Sequence, residues 1–93
     1  MKRISEIQIK VVKPRDGLVG FASFLLDNEL YLSSIGIFSK LEGGYRITYP
    51  TKKVGESDLN IFHPITQELG KEIEGAIIEK TKVVFEADYT EKQ

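Results

Sequence analysis

An α+β domain is what the sequence predicts: a four-stranded antiparallel meander covered by one C-terminal helix. Three observations lead there. Period-2 apolar patterns fill the first half of the chain, turn-forming clusters punctuate them at short intervals, and after Pro64 the apolar spacing changes to that of a helix. A short extra strand near Ile61 is compatible with the same pattern.

The first strand is expected from Ile4 to Lys13, where Ile7, Ile9 and Val11 alternate with Glu6, Gln8 and Lys10. Such alternation gives one wet face and one dry face. Pro14-Arg15-Asp16-Gly17 supplies a turn, with proline presetting φ at its first central position and glycine accepting positive φ near the end. Leu18 to Leu26 is a nearly continuous apolar run containing Phe21 and Phe24, which predicts a strand buried on both faces. Asp27-Asn28-Glu29 breaks that run, and Leu30 to Phe38 follows as the third extended segment. Glu42-Gly43-Gly44 is the next tight turn, leading into a fourth strand over Tyr45 to Tyr49. Val54 to Asn60 shows no strong periodicity and reads as an exposed loop.

Thr66 is placed to cap the helix, because its hydroxyl can accept from a free N–H of the first turn, where Glu68 complements the helix dipole. Ile65, Leu69, Ile73, Ala76, Ile77 and Val84 define one apolar face, with Glu68, Glu72, Glu79 and Glu86 on a solvated one. Gly70 and Gly75 each weaken a helix interior by about 1 kcal/mol relative to alanine, so the helix needs packing to persist. Thr81 to Phe85 carries it onward despite a composition rich in β-branched residues.

Ninety-three residues with 41% hydrophobic content suit a single domain spanning 1–93. A chain of this size buries only roughly 60–65% of its unfolded surface, so dimerisation would add useful burial. The absence of cysteine excludes disulfides, thiolate catalysis and cysteine-ligated metals. Ile4-Ser5-Glu6 interrupts any signal-peptide core after Lys2 and Arg3, and no apolar run approaches the ~18 residues needed to cross a membrane. A soluble cytoplasmic chain starting at Met1 is expected.

Net charge is −1, which argues against coating nucleic acid by bulk electrostatics, but the charge is unevenly placed. Residues 1–53 hold nine Lys/Arg against five Asp/Glu, a balance of +4, and residues 54–93 hold four against nine, a balance of −5. The division falls at Lys53.

Few residues are candidates for chemistry. His63 is the sole histidine and lacks a partner fixed in a catalytic geometry, so its expected role is structural: held by Pro64 and bonded to a nearby carbonyl or side chain at the helix entry. No ligand spacing for a metal and no phosphate-binding glycine loop is present, and no cofactor or catalytic residue is expected. The binding candidates are Lys52 and Lys53, which follow Pro50 at a point where the backbone should leave the sheet. Arg46, Lys40, Lys2 and Arg3 are candidate neighbours. Tyr45 and Tyr49 flank Arg46 and could stack on bases if they faced solvent, although half-buried sheet positions are the commoner use of such tyrosines.

These residues also carry a family resemblance. Pro50-Thr51-Lys52-Lys53 and Ile61-Phe62-His63-Pro64-Ile65 resemble the Pro-Ser-Arg/Lys-Lys/Arg segment and the Ile-x-His-Pro-Ile helix entry of the SpoVG family. The opening Met1 to Val12 and Ser23 to Glu29 are similar in the same order, so the likeness reaches to about Phe85. Two departures reduce the basic surface: Leu59 replaces an arginine found in many members, and Val54-Gly55-Glu56-Ser57-Asp58 replaces the usual Thr-Pro-Asp-Gly-Glu loop.

The resemblance implies a homodimeric bacterial regulator of septation and sporulation that binds DNA and RNA without catalytic turnover. Its carry-over reaches Lys52 and Lys53, then Thr51 and Arg46; Pro50, His63 and Pro64 are structural residues by the reading of the chain itself. The uncovered edge of a small sheet, which invites pairing with a second copy, leads to the same two-fold dimer. The alternative is a dimeric adaptor that docks a protein partner through the acidic helix.

Overall fold

The computed structural model describes residues 3–91, with side-chain surroundings given for 3–86. Four strands, β1 (Ile4–Arg15), β2 (Leu18–Leu26), β3 (Leu30–Ser39) and β4 (Tyr45–Thr48), form an antiparallel sheet in the order β1-β2-β3-β4. A separate two-stranded sheet follows, β5 (Thr51–Val54) with β6 (Ser57–Asn60), and then the helix α1 (Gln67–Glu91). The expected meander and C-terminal helix are both present.

The turns arise from residues that tolerate positive φ. Asp16 (φ 53°) and Gly17 (φ 91°) form the two-residue link between β1 and β2, a primed turn whose twist matches the strands it joins. Pro14 therefore lies inside β1, in the irregular stretch of its pairing between Val11 and Arg15, and is not a central turn residue as the sequence suggested. Asp27 (φ 54°) and Asn28 (φ 56°) make the second reversal, closed by the Glu29 N–H donating to the Leu26 carbonyl at 3.0 Å.

Burial of β2 is one-sided, contrary to the expectation from its apolar run. Gly20, Ala22 and Phe24 are buried beneath the helix, whereas Phe21 on the opposite face is 38% exposed. Among the described residues no second layer covers that face, so the period-2 geometry of the strand leaves its outward apolar residues in contact with water. At Gly20 a side chain would meet the Lys10 carbonyl oxygen at 2.8 Å, so glycine is what permits β1 to approach this closely.

The core consists of Ile4, Ala22, Phe24, Ile35 and Ile37 from the sheet with Ile73 and Ile77 from α1. The helix packs across one face, touching β1 and β4. Thr66 caps it: the Leu69 N–H donates to Thr66 Oγ1 at 3.2 Å. Two sequence expectations need correcting here. Ile65 precedes the helix and is 90% exposed, while Thr81 occupies the apolar stripe and is fully buried. Its hydroxyl donates to the Ile77 carbonyl at 2.7 Å, which satisfies the polar atom within its own helix and lets it continue the Ile73-Ile77 row. The helix runs unbroken through Thr81 to Phe85, where the Phe85 ring stacks on Tyr45 at 5.9 Å.

Candidate nucleic-acid interface

The chain leaves the four-stranded sheet after Thr48, passes Tyr49 and Pro50, and enters the β5-β6 hairpin. This replaces the loop expected over Val54 to Asn60. Gly55, with φ 64°, provides the reversal that brings Val54 opposite Ser57. The extra strand is thus real, but it ends at Asn60 and pairs only with β5. At the hairpin base the Ile61 N–H donates to the Pro50 carbonyl at 3.0 Å, and the Tyr49 and Phe62 rings meet edge to face at 6.1 Å. Beyond that base every residue of both strands is exposed, and the hairpin makes no substantial contact with the main sheet or the helix.

Its register divides the candidate lysines. Cross-strand partners share a face, and Lys52 lies opposite Leu59 while Lys53 lies opposite Asp58. Consecutive strand residues point in opposite directions. One face therefore carries Lys52, Val54, Ser57 and Leu59, and the other Thr51, Lys53, Asp58 and Asn60. The two amines do not act as one charge patch on a single protomer. Among the described residues neither forms an ion pair. Lys52 projects from a half-apolar face on which Val54 is 50% and Leu59 54% exposed. Lys53 projects from a polar face whose Asp58 offsets part of its charge.

The remaining basic candidates are dispersed. Arg46 lies on β4 opposite Phe38, with its guanidinium carbon 4.5 Å from that ring's centroid, on the sheet face turned away from the helix. Lys40 stands in the turn between β3 and β4, where its backbone N–H donates to the Gly44 carbonyl at 3.0 Å. Arg3 binds Glu72 of the helix through both Nε and Nη2. The hydrogen bond to Glu72 and that residue's negative charge raise the Arg3 pKa, and the same pair lowers that of Glu72. Lys2 lies outside the described residues. Tyr45 and Tyr49 face the helix side and are half-buried, so neither offers a ring to an exposed base. Burial, with a smaller contribution from Glu74, raises the Tyr49 pKa and keeps its phenol neutral.

His63 is exposed, with Nδ1 3.1 Å from the carbonyl oxygen of Pro64. It borders a small apolar cavity of about 150 Å³ with Pro64, Phe62, Leu30 and Leu69. Among the described residues no group of three or more His, Cys, Asp or Glu side chains is placed to hold a metal ion, and no helix is long and apolar enough to cross a membrane.

The architecture defines a small α+β domain with a helix-covered sheet and an exposed hairpin that carries Lys52 and Lys53 and makes no substantial contact with the sheet or helix. Its sequence matches the SpoVG family model over residues 1–82, and the chain belongs to that family. Two relatives bear the name "Putative septation protein SpoVG". One, from Finegoldia magna, is 31% identical over 85 residues, covering 90% of this chain and 78% of the relative. The other, from Treponema denticola, is 29% identical over 77 residues, covering 82% of each chain.

Proposed function

We propose that this chain is a dimeric, nucleic-acid-binding regulator of gene expression that contacts DNA or RNA phosphates through Lys52 and Lys53 and works in the cytoplasm without catalytic turnover. The names of its relatives connect that role with septation. The observation that carries the reading is the hairpin itself, which holds both amines in solvent and away from the acidic helix. Thr51 shares the Lys53 face and adds a hydroxyl donor to a bound phosphate.

Dimerisation belongs to the same proposal. A two-stranded hairpin is marginally stable alone in water, and this one presents Val54 and Leu59 on one face with Ile61, 60% exposed, at its base. A second copy packed on Val54, Leu59 and Ile61 would stabilise the hairpin; the Lys52 stem can lie along the edge of that contact with its amine in solvent, and the Lys53 faces remain outward. Two copies bring four lysines to one nucleic acid, an avidity that two lysines on one chain cannot supply at physiological salt.

Fluorescence anisotropy with labelled DNA and RNA across a salt series tests the reading. The double substitution Lys52→Ala/Lys53→Ala should weaken binding across sequences and flatten the log-affinity against log-salt slope by up to about 0.7–0.9 for each phosphate that is no longer neutralised. Wild-type affinity and slope in a folded double variant would remove the lysines from the interface. The exposed carboxylates of Glu68, Glu74 and Glu79 favour the adaptor reading as the alternative, which gains if the wild-type chain binds no nucleic acid at low salt.

A further inference from the structure

The face of the main sheet turned away from the helix has a composition unlike the rest of the surface. Strand pairing aligns its residues in rows. Arg15, Leu18, Phe38 and Arg46 form one row across all four strands; Lys10, Phe21, Gly36 and Thr48 form the next. Gln8 pairs with Ser23 beyond them, and Ser5, Leu25 and Tyr31 complete the face. Its paired positions thus carry three cations, three aromatic rings and no acid; Glu6 sits in the neighbouring bulge, outside the pairing. Phe21 is 38% and Tyr31 65% exposed.

Two bulges shape this surface. On β1 the pairing slips between Ser5 and Gln8, with Glu6 at φ 51°; on β3 the span from Leu32 to Ile35 faces only Ala22 to Phe24, with Ser34 at φ 65°. Bulges bend strands and strengthen their twist. Here they flank β2 on both sides and produce a concavity of about 420 Å³ with Phe21 and Tyr31 in its lining, alongside Lys10, Gln8, Ser23 and Ser33. Gly36, next to Phe21 in the same row, keeps the surface low: a Cβ there would meet Thr48 Oγ1 at 2.7 Å.

We infer that this open sheet face is a second nucleic-acid contact site, selective for single strands, at which unpaired bases stack on Phe21 and Tyr31 while phosphates lie against Lys10, Arg15 and Arg46. Base faces are available to protein rings only where the bases are not stacked within a duplex, and a sheet presenting solvent-facing aromatics opposite its helical layer is suited to them. The cations and the absence of acid along the rows complement the phosphate chain. Gln8, Ser23 and Ser33 add donors and acceptors for base edges. The inference rests on the nucleic-acid reading above and adds the strandedness of the ligand, since the hairpin lysines alone do not distinguish a single strand from a duplex.

The test compares a labelled oligo-dT and oligo-U with a blunt duplex of mixed sequence. Phe21→Leu/Tyr31→Ala should weaken single-strand binding by about tenfold or more, leave duplex binding and the salt slope near wild type, and retain the wild-type mass by light scattering. Phe21→Tyr/Tyr31→Phe keeps both rings and should retain single-strand affinity, which separates stacking from a packing defect. Equal single-strand affinity in wild type and Phe21→Leu/Tyr31→Ala, with binding still weakened in Lys52→Ala/Lys53→Ala, overturns this inference and leaves the hairpin reading standing. Conversion of a dimer to a monomer by Phe21→Leu/Tyr31→Ala also overturns it, since a second copy would then cover the face. Failure of the wild-type chain to bind any of the probes at low salt removes both readings.

Discussion

The four-stranded sheet and the β5-β6 hairpin are built from the same antiparallel ladder but draw their stability from different sources. The sheet has Phe24, Ile35 and Ile37 sealed beneath Ile73 and Ile77, so its strands are held by side-chain burial as much as by pairing. The hairpin has no lid: its eight strand residues are all exposed, and outside its base it is held by its own ladder alone. The difference teaches that side-chain burial specifies the body, whereas among the described residues nothing packs over the hairpin. Substitutions should therefore be felt as stability in one region and as association in the other.

The sharpest way to break that contrast is through the core. Phe24→Ala removes a fully buried ring and should lower stability by about 3–5 kcal/mol, measured by denaturant melts; a decrease under about 1 kcal/mol would mean the lid is not packed as described. Leu59→Glu should act in the opposite region. In the proposed dimer it should weaken association by about 2 kcal/mol or more, through a carboxylate forced against apolar surface, and shift the light-scattering mass toward 10.5 kDa. A dimer of unchanged affinity would place the contact elsewhere.

Thr66→Ala should cost about 1 kcal/mol by removing the cap on the Leu69 N–H, with no change in nucleic-acid affinity for folded protein. The smallest effect belongs to Arg3 and Glu72. Because the folded-state pKa of Glu72 is depressed, its contribution is present above the ordinary carboxylate pKa and fades as pH falls through the lowered value. Both side chains are well exposed, so Arg3→Ala should flatten the acid limb of the stability profile only slightly, and added salt should erase the difference.

Much of the body was legible in the sequence because each local signal agreed with the fold. Alternation in Ile7 and Ile9, the Asp27-Asn28 reversal and the Thr66 cap each act over a few residues and each operates in the structure, whereas Val11, expected on the same dry face, is 53% exposed. The sidedness of β2 was not legible: an apolar run looks alike whether one face or two are covered, and only the location of the lone helix decides it. Thr81 escaped notice because its polarity hides a buried position that a backbone carbonyl satisfies. The hairpin was missed because Val54, Leu59 and Ile61 are too few and too interrupted by charge to register as a period. Lys52-Lys53 was visible as a motif, yet their divergence onto opposite faces became visible only once both were seen to lie within a strand. Likewise, Arg46 was grouped with them by proximity in sequence, although strand register places it with Phe38.

Pro14 has a consequence for how copies of this chain can join. β1 is the longest strand and lies at the margin of the sheet, where a row of free N–H and C=O groups would ordinarily template further strands without limit. The proline removes one donor, the pairing around it is irregular, and Glu6 protrudes near the other end. Charged Lys10 and Lys13 lie between. That margin is therefore blunted against open-ended, amyloid-like growth, which leaves self-association to surfaces that can close after two copies.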